Sequence, residues 1–108
     1  MFSCDLRKNT LTVFLSGELD HRMAGEVRRV LDDMLEDAHV RRLVFDLREL
    51  EFMDSSGVGL VIGRYKRLTR RGGSVEVVDP AAHIDRIFQM SGVYQLVEKR
   101  VRGKGETI

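Results

Sequence analysis

Cysteine, proline and tryptophan are nearly missing from this chain: Cys4 and Pro80 each stand alone, and there is no tryptophan. A lone cysteine leaves no partner for an intramolecular disulfide and no thiolate cluster for a metal, which fits a reducing compartment. An excess of one charge is missing as well. Against 18 lysines and arginines stand 17 acidic residues, so the net charge is +1 and no global field draws the chain to nucleic acid or to an anionic membrane. No apolar stretch approaches membrane-spanning length, and the amino terminus has no basic segment leading into an apolar run and a cleavage site, so a cytoplasmic protein is expected. His21, His39 and His83 are scattered without ligand spacing, so neither a metal nor a cofactor is expected. No Ser-His-Asp or Cys-His arrangement can be defended from this sequence.

What is present suffices for one core. A length of 108 residues, 43% of them hydrophobic, fits one compact domain and is too short for two of ordinary size. Phe2 to Leu6 and Leu11 to Leu15 read as strands joined by a turn at Lys8-Asn9-Thr10, an opening hairpin. Met23, Val27, Val30, Leu31, Met34 and Ala38 then mark one helical face, with Asp20 as its cap. Leu43-Val44-Phe45-Asp46-Leu47 is the near-continuous apolar run of a buried parallel strand. Val58, Val61, Ile62, Tyr65 and Leu68 recur as the buried face of a second helix, which ends in a basic turn and Gly72-Gly73. Val75 to Val78 is a further strand, and Asp79-Pro80 opens a third helix with Ile84, Ile87, Phe88 and Ser91 inward and Gly92 as its stop. Tyr94 to Glu98 reads as a last short strand. This order describes an α/β domain with crossover helices over residues 1–98, followed by a mobile tail over 99–108 that carries Gly103 and Gly105.

The densest local signal is Phe52-Met53-Asp54-Ser55-Ser56-Gly57, which puts two hydroxyls where an apolar strand turns into a helix. Asp54, Ser55 or Ser56 would be the N-cap, and a phosphate added there would meet unpaired N–H groups and the positive end of the helix dipole. Ordinary capping explains the same residues. Gly57, Gly59 and Gly63 match neither the dinucleotide fingerprint nor the P-loop, so close helix packing is the better reading. Leu60 falls away from the Val61–Tyr65 face and is expected to form a small docking surface near Ser55. The run from Arg64 to Arg71 occupies the C-terminal half of a helix, where cations are favoured, and is expected to be a solvated face. Asp20, Asp46 and Asp54 each flank a strand end and would meet at one edge, where capping explains them better than weak Mg²⁺ binding.

Taken together, Gly17-Glu18-Leu19-Asp20-His21, Phe52-Met53-Asp54-Ser55-Ser56-Gly57, Gly63-Arg64-Tyr65-Lys66 and Met90-Ser91-Gly92 resemble the STAS-domain anti-sigma factor antagonists. Gly-Arg-Tyr-Lys favours the sporulation branch, and the resemblance runs from the first hairpin to about Val97. It implies a mixed, mostly parallel STAS sheet with an N-terminal hairpin and crossover helices. It also implies that Ser55 is phosphorylated, that Ser56 is its neighbour and cap, and that Asp20, Asp54, Ser56, Gly57, Leu60 and Arg64 contact the partner. That partner would be the anti-sigma factor, itself an ATP- or ADP-bound serine kinase that holds sigma factor F. A PP2C-type serine phosphatase would restore the active form. Family members often end in a helix, whereas the glycine-bearing tail here has little helical pattern. Other readings are an antagonist in a general stress module and a nucleotide-binding STAS regulatory domain. A transporter-associated STAS domain is disfavoured by the lack of a membrane segment.

Overall fold

In the computed structural model, which describes residues 1–102, alternation along the strands sorts side chains to two very different faces. The five strands β1 (Phe2–Arg7), β2 (Thr10–Leu19), β3 (Arg42–Met53), β4 (Ser74–Val78) and β5 (Glu98–Arg100) lie in that order in one sheet. β1 pairs antiparallel with β2 across the Lys8-Asn9 turn, and the other neighbours are parallel. Leu11, Val13 and Leu15 of β2, Leu43, Phe45 and Leu47 of β3, and Val75 and Val77 of β4 join one core. That core takes in the buried residues of α1 (His21–Met34), α2 (Ser55–Thr69) and α3 (Ala82–Ser91), so the helices cover one face of the sheet.

The opposite face is mixed: Val44 and Val78 are buried there beside charged groups, while Phe14 is exposed. Glu76 is 3% exposed beneath Arg42 and Arg100, both of which donate to its carboxylate. Asp46 is also 3% exposed and takes a 2.8 Å bond from Arg102, whose Nε donates to Asp79 at 2.9 Å. Long arginine stems thus cover buried carboxylates where a second helix layer would otherwise lie. Among the described residues no helix is long and apolar enough to cross a membrane, and no group of three or more His, Cys, Asp or Glu could hold a metal ion.

Several expectations change. The apolar run Leu43–Leu47 is only the middle of β3, which continues through Arg48, Glu49 and Glu51 to Met53. Two register shifts against β2, beside Ser16 and Gly17, absorb extra residues of β3, and Gly17 takes φ +75° there. α1 stops at Met34, leaving Ala38 exposed in the connection to β3. Asp79 does not cap α3: it sits at φ +53°, its carboxylate engages Arg102, and the helix begins after Ala81 with no side-chain cap. Gly92 closes α3 at φ +81°, as expected. Tyr94 belongs to a 3-10 turn, Val93–Gln95, and the last strand starts only at Glu98. Residues 99–102, read as the start of a tail, therefore carry sheet pairing and the Arg102 anchor. Residues 103–108 lie outside the described residues.

Candidate functional site

β2 and β3 run parallel and end side by side, with Leu19 opposite Met53. An aspartate follows each and caps the next helix. Asp20 accepts the Met23 N–H at 2.9 Å, and Asp54 accepts the Ser56 N–H at 2.8 Å. The Asp54 N–H donates to the Leu19 carbonyl at 3.3 Å, tying the two turns together. Two helices therefore open at one sheet edge, and the positive ends of both dipoles meet there. Ser55 is the first residue of α2 and is exposed; Ser56, half-buried, has its hydroxyl 3.4 Å from Nδ1 of His21.

Of the expected site residues, Asp20, Asp54, Ser55 and Ser56 are brought together. The cap is Asp54 and not Ser56, because the carboxylate takes the Ser56 N–H. The Gly57 N–H donates to the Asp54 carbonyl at 3.0 Å. A phosphate on Ser55 would thus find neither of those donors free. Asp46 does not join the edge; it lies with Arg102 on the sheet face opposite the helices. Gly57 is buried and faces inward, where a Cβ would overlap the Met53 side chain and approach Leu19 Cδ2 to 3.1 Å. Leu60 is no docking surface. It is 4% exposed and belongs to the core, because α2 packs on α1 as well as on the sheet and its buried stripe is correspondingly wide.

Arg64 is also drawn inward, 9% exposed, with Nε 3.1 Å from Asp32 of α1. Burial lowers the pKa of its guanidinium, against the pull of Asp32. The basic run is not a free solvated face either. Arg67 pairs with Glu36 at 2.8 Å, and Arg71 donates to the carbonyls of Leu35, Asp37 and Val40 at 2.6, 3.0 and 3.1 Å, clamping the end of α1.

Sequence reasoning missed His21 as a site residue and the cleft behind it. That cleft, of about 570 Å³, lies between α1 and α2 and is lined by His21, Arg22, Arg28, Arg29, Ser56 and Arg64, among others. Laying Leu19-Asp20-His21 over Met53-Asp54-Ser55 would have exposed the likeness of the two turns and placed His21 beside the serines. Phe52, just before the site, is 48% exposed. Cys4 is half-buried in the edge strand, where burial pushes its thiol pKa up.

The STAS domain family matches residues 3–104 of the chain. An anti-sigma F factor antagonist of Paenibacillus polymyxa is 38% identical over 90 residues, covering 83% of this chain and 77% of the relative. An anti-sigma-B factor antagonist of Bacillus subtilis (strain 168) is 26% identical over 98 residues, 91% of this chain and 88% of that one. Among solved structures, the anti-sigma factor antagonist SpoIIAA in its unphosphorylated form superposes with a TM-score of 0.87 at 28% identity, covering 96% of this chain and 90% of that one. The Bacillus cell fate determinant SpoIIAA in the phosphorylated form gives a TM-score of 0.80 at 28% identity, with 96% and 93% covered. With the fold and nearly the whole length in agreement, the chain belongs to the STAS-domain family of the anti-sigma factor antagonists.

Proposed function

We propose that this chain is an anti-sigma factor antagonist switched by phosphorylation of Ser55. Unphosphorylated, it binds the anti-sigma factor, an ATP- or ADP-bound serine kinase, and frees sporulation sigma factor F. The Ser55 hydroxyl then attacks the γ-phosphorus of ATP, its proton passing to a base of the kinase and ADP leaving. Hydrolysis by a PP2C-type phosphatase restores the hydroxyl. The chain itself supplies no catalytic group and acts as substrate and competitor.

One observation carries this reading: Ser55 stands exposed at the first helical position, beside a carboxylate and at an edge where the Ser56 and Gly57 N–H groups are already used. A phosphate adds about −1.5 to −2 charges at neutral pH, next to Asp54 and close to Asp20. The charge then falls on whatever surface is docked there. Leaving such a charge unpaired in a contact costs about 3–5 kcal/mol, a loss of two or more powers of ten in affinity. Asp20, Asp54 and Ser56 present that edge; Gly57 and Leu60 support it from beneath. That the similar SpoIIAA exists in both phosphorylated and unphosphorylated forms supports the same switch.

The test is mass spectrometry of the protein incubated with an anti-sigma F kinase and Mg·ATP, with Ser55→Ala in parallel. One added phosphate, mapped to Ser55 and absent from the variant, is the expected result; modification elsewhere, or none, overturns the reading. Likeness to an anti-sigma-B factor antagonist at 26% identity keeps a second reading, the stress-response module, in view. Competition between an anti-sigma F and an anti-sigma-B kinase for the unphosphorylated protein decides it, and the 38% identity to an anti-sigma F factor antagonist favours the first.

A further inference from the structure

We propose that the cleft between α1 and α2 receives an acidic segment of the anti-sigma factor, recognised by Arg22, Arg28 and Arg29; this occupant presupposes the antagonist role proposed for the chain. The cleft holds about 570 Å³. Two glycines make the room: Gly25 of α1 and Gly59 of α2 both line it, and a Cβ at Gly59 would meet nothing within 4 Å. A Cβ at Gly25 would meet only Nη1 of Arg29, at 3.9 Å, so that guanidinium stands beside the gap.

The chain as a whole carries a net charge of +1, so the charge of the cleft is a local property. His21, Arg22, Arg28, Arg29 and Arg64 line it against the single carboxylate of Glu26, which lies 3.7 Å from Arg22. Nε and Nη1 of Arg64 are sealed from solvent, so an occupant meets the exposed Arg22, Arg28 and Arg29 instead. Arg28 and Arg29 have no hydrogen bond or ion pair to any described residue. Asp32, one turn from Arg28, is already engaged by Arg64 and Arg67. Arg22 and Arg29 stand two turns apart, about 10 Å along the helix axis. Such a row of cations matches carboxylates strung along a polypeptide better than one compact anion. Continuity with the switch favours the anti-sigma factor as the source of that polypeptide. His21 and Ser56 line the same cleft, and Ser56 directly follows Ser55, so a protein docked over the Ser55 edge is already at its mouth. A phosphate on Ser55 would set its charge against the incoming carboxylates, which couples the cleft to the switch.

The test follows association of the full unphosphorylated chain with the ADP-loaded anti-sigma F kinase by stopped flow, at low and at high salt. Arg28→Glu combined with Arg29→Glu should slow association about a hundredfold at low salt and remove most of its salt dependence. Lys8→Glu combined with Arg86→Glu changes the net charge equally at exposed positions outside the cleft, and should stay within about threefold of the parent. Gly59→Leu fills the cleft without changing charge and should speed dissociation about tenfold. Equal losses in the two double variants would make the effect one of net charge, and parental affinity in either cleft variant would leave the cleft without an occupant; each overturns the proposal. Mass spectrometry of Ser55 with the same kinase separates the two readings. A parent that binds and is phosphorylated, yet is matched by the cleft variants, sinks the cleft alone, whereas a parent that neither binds nor is phosphorylated sinks the antagonist role and the cleft with it.

Discussion

At Ser55 the decisive property is exposure beside the Asp54 carboxylate. Ser55→Asp is expected to lower affinity for the anti-sigma kinase about a hundredfold or more, while Ser55→Ala binds like the parent and cannot be switched off. Calorimetry with both variants reads this directly; equal affinities would refute the electrostatic account. The neighbouring residues show how far the sequence carried. Ser55, Asp20 and Asp54 were legible because cap chemistry and the strand-to-helix change are local signals, reinforced by a family resemblance. Leu60 was not, since its place depends on α1, a partner that the periodicity of α2 alone does not reveal. Leu60→Ala should therefore cost about 2–4 kcal/mol of stability in urea unfolding. An affinity loss at unchanged stability would instead restore Leu60 to a docking role.

At the scale of the element, α2 contains glycines with opposite meanings. Gly57→Ala pushes a methyl into Met53 and Leu19, both buried, and should destabilise by about 1–2 kcal/mol. Gly59→Ala meets empty space on an exposed helical position and should stabilise by about 0.5–1 kcal/mol through helix propensity. Thermal unfolding of the pair checks the sign of each, and the same sign for both would refute this division of labour. From sequence the two look alike, because close approach is a tertiary property. β3 was cut short for a similar reason. Arg48, Glu49 and Glu51 break the apolar run, and only the register shifts against β2 return Leu50 and Met53 to the core. Those extra residues matter to function, since they bring Met53 level with Leu19 and set the two capping aspartates side by side.

For the whole molecule, stability should fall away on both sides of neutrality, for reasons that meet at the neighbouring β5 residues Lys99 and Arg100. Burial alone would raise the pKa of Glu76, but the hydrogen bonds and charges of Arg100 and Arg42 outweigh it and hold the carboxyl below its ordinary 4.5. Asp85 behaves alike: burial raises it, while Lys99 and Tyr94 pull it below 3.8. A depressed folded-state pKa stabilises above the unfolded value and is lost as pH falls through the folded one. Acid loss should therefore begin near pH 4.5 and deepen below it. Tyr94 is the mirror case. Burial and its 2.5 Å hydrogen bond to Asp85 push the phenol far above its ordinary 10.0. Its contribution is complete below pH 10.0 and declines as pH rises from there, because the unfolded chain releases that proton first. Urea midpoints from pH 3 to 11 should form a dome for the parent protein. Tyr94→Phe should flatten the alkaline limb and leave the acid limb in place, apart from the share that Tyr94 lends to Asp85. Glu76→Gln should do the reverse, at a cost in stability near pH 7 because Arg42 and Arg100 lose their shared buried acceptor. Were Tyr94→Phe to leave the alkaline limb as steep as before, the Tyr94 phenol would have no part in the high-pH loss.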